Sequence, residues 1–138
     1  MKMSVHLNFS GNCKDAFAFY QKVFKAENPF SMTYAEAPDG GSMVPPEWKD
    51  KVMHTSIPVG GGMLMGCDAP PGRIAPMGGF QVCVEDDEAE VKRIFEGLSD
   101  GGKPSMPLQK TFWSPLFGMV TDRFGVNWMV SVPGQPPA

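Results

Sequence analysis

The chain is short of the residues that carry several kinds of chemistry. It has two histidines, His6 and His54, in 138 residues. Twelve Lys and Arg face fifteen Asp and Glu, a formal net charge of −3, and the basic residues form no run. Nucleic-acid binding needs clustered positive charge, so no nucleic-acid partner is expected. No apolar stretch approaches the roughly 18 residues of a membrane-crossing helix, so no membrane partner is expected either. The opening MKMSVHLNFSGN lacks the apolar core and cleavage site of a secretory leader. Three cysteines, Cys13, Cys67 and Cys83, are an odd number without C-x-x-C spacing. Reduced thiols in a cytoplasmic protein follow as the expectation. No Gly-rich phosphate-binding fingerprint follows a strand, and the triple glycine at Gly60, Gly61 and Gly62 lies in a hairpin.

What the chain does have is methionine, 11 in all, and an aromatic-rich stretch from Lys110 to Val130. Methionine fills core gaps and also suits a pocket that adapts to its ligand.

The hydrophobic pattern repeats. SVHLNFS alternates, with Val5, Leu7 and Phe9 on one side and His6 and Asn8 on the other, as in a half-buried strand. GNCKDAFAFYQKVFKA predicts a helix with Asn12 as N-cap and Asp15 in the first turn, ended by Pro29. FSMTYAEA predicts a strand, and KVMHTSIPV and MLMGCDA a hairpin. PPGRIAPMGG is the linker. Beyond it come a strand over FQVCVED, with Phe80, Val82 and Val84 on one face, and a helix over DDEAEVKRIFEGL. A strand near KPSMPLQ follows, then a hairpin of FGMVT and VNWMVSV turned by DRFG, where Asp122 caps the turn and Arg123 is exposed or paired.

The order is β-α-β-β-β, twice. Neither copy can bury its own sheet face, so the expected fold is α+β, with two β-α-β-β-β modules forming a curved mixed sheet with a cleft. Module one spans about 3–69, the linker 70–78 and module two about 79–133, within one domain; 134–138 is read as a disordered tail.

LNFSGNCKDAFAFYQKVF, PPEWKDKVMHTSI, LMGCDAP and MPLQKTFWSPLFGMVTDRFGVNWMV together resemble the PhnB-like branch of the vicinal-oxygen-chelate superfamily, the group of glyoxalase I, bleomycin-resistance proteins and extradiol dioxygenases. The likeness covers nearly the whole chain in order. One departure is Lys25-Ala26, where relatives usually have a glycine. The resemblance implies a glyoxalase-like fold and a homodimer. It does not imply one reaction.

Metal-dependent members of that superfamily take His, Glu or Gln ligands from the first and last strands of each module. Here the first position falls on Val5, and a one-residue shift is needed to bring His6 into the cleft. The other positions offer Met63 or Met65 with Cys67 beyond, Gly79 with Gln81, and Met129 with Asn127. None is a His or a carboxylate, so no metal and no other cofactor is expected. A metal-dependent lyase, isomerase or dioxygenase is the alternative.

The resulting expectation is a protein that binds a small aromatic or amphipathic molecule. The candidate ligand-binding residues are His6, Asn8, Met65, Cys67, Gln81, Phe112, Trp113, Asn127 and Met129. His54 reads as a hydrogen-bonded strand residue, or as a general base oriented by Asp68. Trp113, in the loop QKTFWSP, reads as a pocket wall or as packing on a dimer partner. Trp128 reads as core against a helix. Cys67 acts as a nucleophile only if a base lowers its pKa.

Overall fold

The computed structural model describes residues 1–27, 30–73 and 75–134. The expected helix-ending Pro29 and most of the tail, 135–138, lie outside the described residues. The chain forms two compact units, Met1–Pro76 and Met77–Ala138.

The first unit runs β1 (Val5–Phe9), α1 (Cys13–Phe24), β2 (Phe30–Thr33), a short 3₁₀ turn at Pro46–Trp48, β3 (Val52–Val59) and β4 (Gly62–Asp68). The second runs β5 (Val82–Glu85), α2 (Glu88–Ser99), β6 (Lys103–Gln109), β7 (Phe117–Thr121) and β8 (Asn127–Ser131). The strands pair within their own unit, in the orders β1-β4-β3-β2 and β5-β8-β7-β6. Each opening strand lies parallel to the closing one, and the other pairs are antiparallel. The α+β class and the doubled β-α-β-β-β order are thus those the sequence predicts, with two open four-stranded sheets in place of one continuous ladder.

Each helix covers one sheet face. Leu7, Phe9, Leu64 and Ile57 are buried beside Ala16, Phe17 and Tyr20 of α1. In the second unit Trp128, Val130 and Val120 are buried with Val91, Ile94 and Leu98 of α2. Trp128 is core, as the alternation predicts.

One ladder rung in each unit shows how closely the helix approaches. Thr55 pairs with Gly66, and Gly118 pairs with Val130. A Cβ on Gly66 would meet Phe17 Cε1 at 2.5 Å, and one on Gly118 would meet Phe95 Cε2 at 2.7 Å. An aromatic ring from the helix therefore occupies the space of the missing side chain in both units. The glycine has changed strands between the copies.

Three local expectations are corrected. Asn12 stands at the start of α1 but makes no side-chain cap bond. Asp68, at the end of β4, takes that role: its Oδ1 accepts from Gly11 N at 2.8 Å and Cys13 N at 2.9 Å. The strand over FSMTYAEA stops at Thr33, because Glu36 Oε1 accepts from both Thr33 N (3.0 Å) and Thr33 Oγ1 (2.9 Å) and turns the chain. The strand over FQVCVED is shorter than predicted, and Phe80 precedes it with 41% of its surface exposed.

Candidate functional site

The faces opposite the helices are where the candidate residues gather. In the first sheet β1 is regular: His6 pairs with Met65 and Asn8 with Cys67. Leu7 and Phe9 take the helix-covered face, so His6 and Asn8 reach the open face with no shift of register. The one-residue slip that the sequence reading required is unnecessary, because the buried side of the strand is the one against α1.

Met65 also pairs with Ser56 on β3. The His6 and His54 rings stack with centroids 6.0 Å apart and planes 24° apart, and Phe30 stands 6.1 Å from His54. Cys67 Sγ donates to Asn8 Oδ1 at 3.4 Å. His6, Asn8, His54, Met65 and Cys67 therefore share one surface of the first unit. Burial, and then the neighbouring His54, lower the His6 pKa from its ordinary value, while a hydrogen bond with Asn8 opposes them. Burial first, and the charge of Asp68 second, push the Cys67 thiol up, the opposite of what a nucleophilic thiolate needs.

Asp68 does not orient His54. It is 1% exposed and bound to three backbone amides, those of Gly11 and Cys13 through Oδ1 and that of Val52 through Oδ2 at 3.0 Å. It alternates with Cys67 and points to the helix side of β4, whereas His54 lies on the open side. The proposed His54–Asp68 dyad is corrected on that ground: Asp68 is a structural cap.

In the second sheet Met129 pairs with Cys83 on β5 and with Met119 on β7, and Asn127 pairs with Thr121. Cys83 Sγ lies 3.7 Å from Met129 Sδ, Gln81 Nε2 donates to Met119 Sδ at 3.2 Å, and Thr121 Oγ1 donates to Asn127 Oδ1 at 2.6 Å. Gln81, Asn127 and Met129 thus belong to one surface. Gly79 lies before β5, with φ +77°, and supplies no strand position. Cys83 is the residue across from Met129. Sequence reading passed over Cys83 and Met119, although both share the strand parity of Met129 once the ladder is known.

Trp113 is 47% exposed and packs edge-on against Phe117, centroids 5.3 Å apart; Phe112 is 97% exposed and meets Trp113 at 4.7 Å. The buried Ser114 pins this loop, its Oγ donating to Val132 O at 2.6 Å. The turn after β7 is fixed by Asp122, whose Oδ1 accepts from Phe124 N and Val126 N and whose Oδ2 accepts from Trp128 Nε1 at 2.8 Å. Arg123 pairs with Asp100 at 3.1 Å.

Among the described residues no three His, Cys, Asp or Glu side chains converge as a metal cage. The donors named on the open faces are imidazole, amide, thiol and thioether, none of them the carboxylate oxygen that hard divalent ions prefer.

The doubled β-α-β-β-β order and the two open sheets define a protein of glyoxalase-like fold. Residues 1–131 match the family model described as 3-demethylubiquinone-9 3-methyltransferase, and the chain belongs to that PhnB-like family. It is 37% identical to Protein YjdN of Escherichia coli (strain K12), over 99% of both chains. Protein PA1353 from Pseudomonas aeruginosa has a similar structure, with a TM-score of 0.85, 36% identity and coverage of 98% of this chain and 99% of that one. A putative 3-demethylubiquinone-9 3-methyltransferase, PhnB protein, from Bacillus cereus shares the fold, with a TM-score of 0.72, 22% identity and coverage of 96% and 99%.

Proposed function

We propose that the protein binds a small aromatic or amphipathic molecule on its open sheet faces, without a bound divalent metal, as a cytoplasmic homodimer. The observation that carries this reading is the gathering of His6, Asn8, His54, Met65 and Cys67 on one half-open surface of the first sheet. Such a surface offers apolar, polarizable area with a few polar groups to fix orientation, which is the usual make-up of a small-molecule site. Gln81, Asn127, Met129, Phe112 and Trp113 extend the same chemistry in the second unit.

Divalent-metal chemistry is the poorer fit, because His6, His54 and Cys67 do not converge as a group of three ligands, and amides and thioethers make up the rest of the named surface. Methyl transfer, suggested by the family's description, needs a methyl donor site, and the chain carries no Gly-rich fingerprint after a strand.

Metal analysis by mass spectrometry on untagged protein, followed by Ni, Zn, Mn and Fe titration with a thermal-shift readout, tests the reading. No stabilisation by any of the four, together with ligand quenching of tryptophan fluorescence that weakens in Trp113→Ala and His54→Ala, is expected. One divalent ion per chain, with a thermal shift lost in His6→Ala, overturns it. Light scattering coupled to size exclusion tests the dimer, and a monomer mass rejects it.

A further inference from the structure

The second sheet carries a row of sulfurs. Cys83 pairs with Met129, Met129 with Met119, and Met119 with Met106, so one rung crosses all four strands β5, β8, β7 and β6. Paired residues of a ladder stand side by side on one face, their Cβ atoms about 4.5–5.5 Å apart. That face is the one away from α2, since Gly118 and Val130 of the next rung take the helix side. Cys83, Met129 and Met119 therefore line up on the open surface, and Met106 pairs with Met119 between two register shifts of β6.

From this row we infer a site for a soft monovalent metal ion, Cu(I) in character, held by Cys83, Met129 and Met119, with Met106 next in line. A thiolate with thioethers suits soft Cu(I), whereas hard divalent ions prefer oxygen ligands. The spacing fits as well as the chemistry. Two sulfurs each about 2.3 Å from one ion lie roughly 3.8–4.0 Å apart for angles between tetrahedral and trigonal. Cys83 Sγ and Met129 Sδ are already 3.7 Å apart. Gln81 Nε2 donates to Met119 Sδ at 3.2 Å, and Met119 is the ladder partner of Met129. Cys83 is exposed, so the ion has a path from solvent.

Binding requires no change of oxidation state. The ion displaces the Cys83 thiol proton to solvent, a Cu–S bond forms, and the thioethers donate lone pairs without losing protons. The site goes beyond the small-molecule reading and shares only Met129 and Gln81 with it.

The test is anaerobic titration of the full chain with Cu(I) against a chromogenic Cu(I) chelator, and X-ray absorption on the loaded protein. The expected result is one ion per chain with at least two sulfur neighbours. Affinity should be lost in Cys83→Ser, fall about tenfold or more in Met129→Leu and in Met119→Leu, and be unchanged in Cys67→Ser. Thermal melts of each variant without metal confirm that the sheet is intact. A single sulfur neighbour, or affinity indifferent to both methionine variants, means an ordinary surface thiol and overturns the proposal. Loss of binding in Cys67→Ser instead of Cys83→Ser overturns it as well.

Discussion

Asp68 Oδ1 lies 2.9 Å from the backbone nitrogen of Cys13, a residue 55 positions earlier in the chain. The last strand of the first unit thus caps that unit's helix. The same carboxylate holds Gly11 N and Val52 N, and Tyr34 Oη donates to the Asp68 carbonyl at 2.7 Å. Four separate segments therefore meet at one buried acid. Asp68→Ala leaves three amide donors without their acceptor in a site closed to bulk water, and the unfolding free energy should fall by about 3 kcal/mol or more. Denaturant titration measures it. A loss under about 1 kcal/mol would mean that water replaces the carboxylate at little cost.

Much of this architecture was legible in the sequence. Strand alternation and helical spacing located both modules, because each element hides one face against its own partner. The acid at Asp68 shows what was not. Its three partners, Gly11, Cys13 and Val52, are far away along the chain, so a local reading could only offer it to His54 or leave it idle. The site had the same limit. Met129 and Gln81 carried signals of their own, but Cys83 and Met106 join the row only through ladder register, which a single sequence does not fix. His6 needs no such ladder: β1 hides Leu7 and Phe9 from water under α1, so alternation alone sets His6 on the open face.

The stacked His6 and His54 rings give a pH dependence with a definite sign. The folded-state pKa of His6 is lowered by burial and then by His54. An unfolded histidine titrates near 6.5. Between the two values the folded chain binds fewer protons, so stability is present above about pH 6.5 and is lost as pH falls through the folded value. His6 retains an exposed edge, so the effect is small and screened by salt. An NMR titration should place the His6 midpoint below that of a free imidazole, and His54→Gln should raise it. A midpoint unmoved by His54→Gln would show that the two rings do not interact electrostatically.

The three thiols should separate by reactivity. Cys83 is exposed, Cys67 is intermediate and Cys13 is buried. Burial first, and then Asp68, raise the pKa of both Cys13 and Cys67 above the ordinary thiol value. Alkylation by iodoacetamide near pH 8, followed by peptide mass spectrometry, should label Cys83 first, Cys67 slowly and Cys13 only on unfolding. Raising the pH should speed Cys67, since the thiolate is the reacting form. Fast labelling of Cys67 at neutral pH would restore it as a candidate nucleophile.

Helix α1 ends on an unusual residue. Lys25 sits at φ 50° and ψ 41°, the left-handed conformation, and its amide turns back to the carbonyls of Gln21 and Lys22. No other described non-glycine residue has a positive φ. The side chain of an L-residue crowds the carbonyl there, and glycine does not. The chain thus makes the helix-ending bend with a lysine and bears its steric cost. Lys25→Gly should stabilise the protein by about 1 kcal/mol, reduced somewhat by the greater freedom of glycine in the unfolded chain. Thermal unfolding should register this as a rise in Tm, with no change in ligand quenching of tryptophan fluorescence, because Lys25 lies on none of the open-face strands. Lys25→Ala removes the lysine charge but keeps the Cβ, so it should give no such rise. Equal stabilisation by alanine and glycine would trace the effect to charge instead of backbone strain.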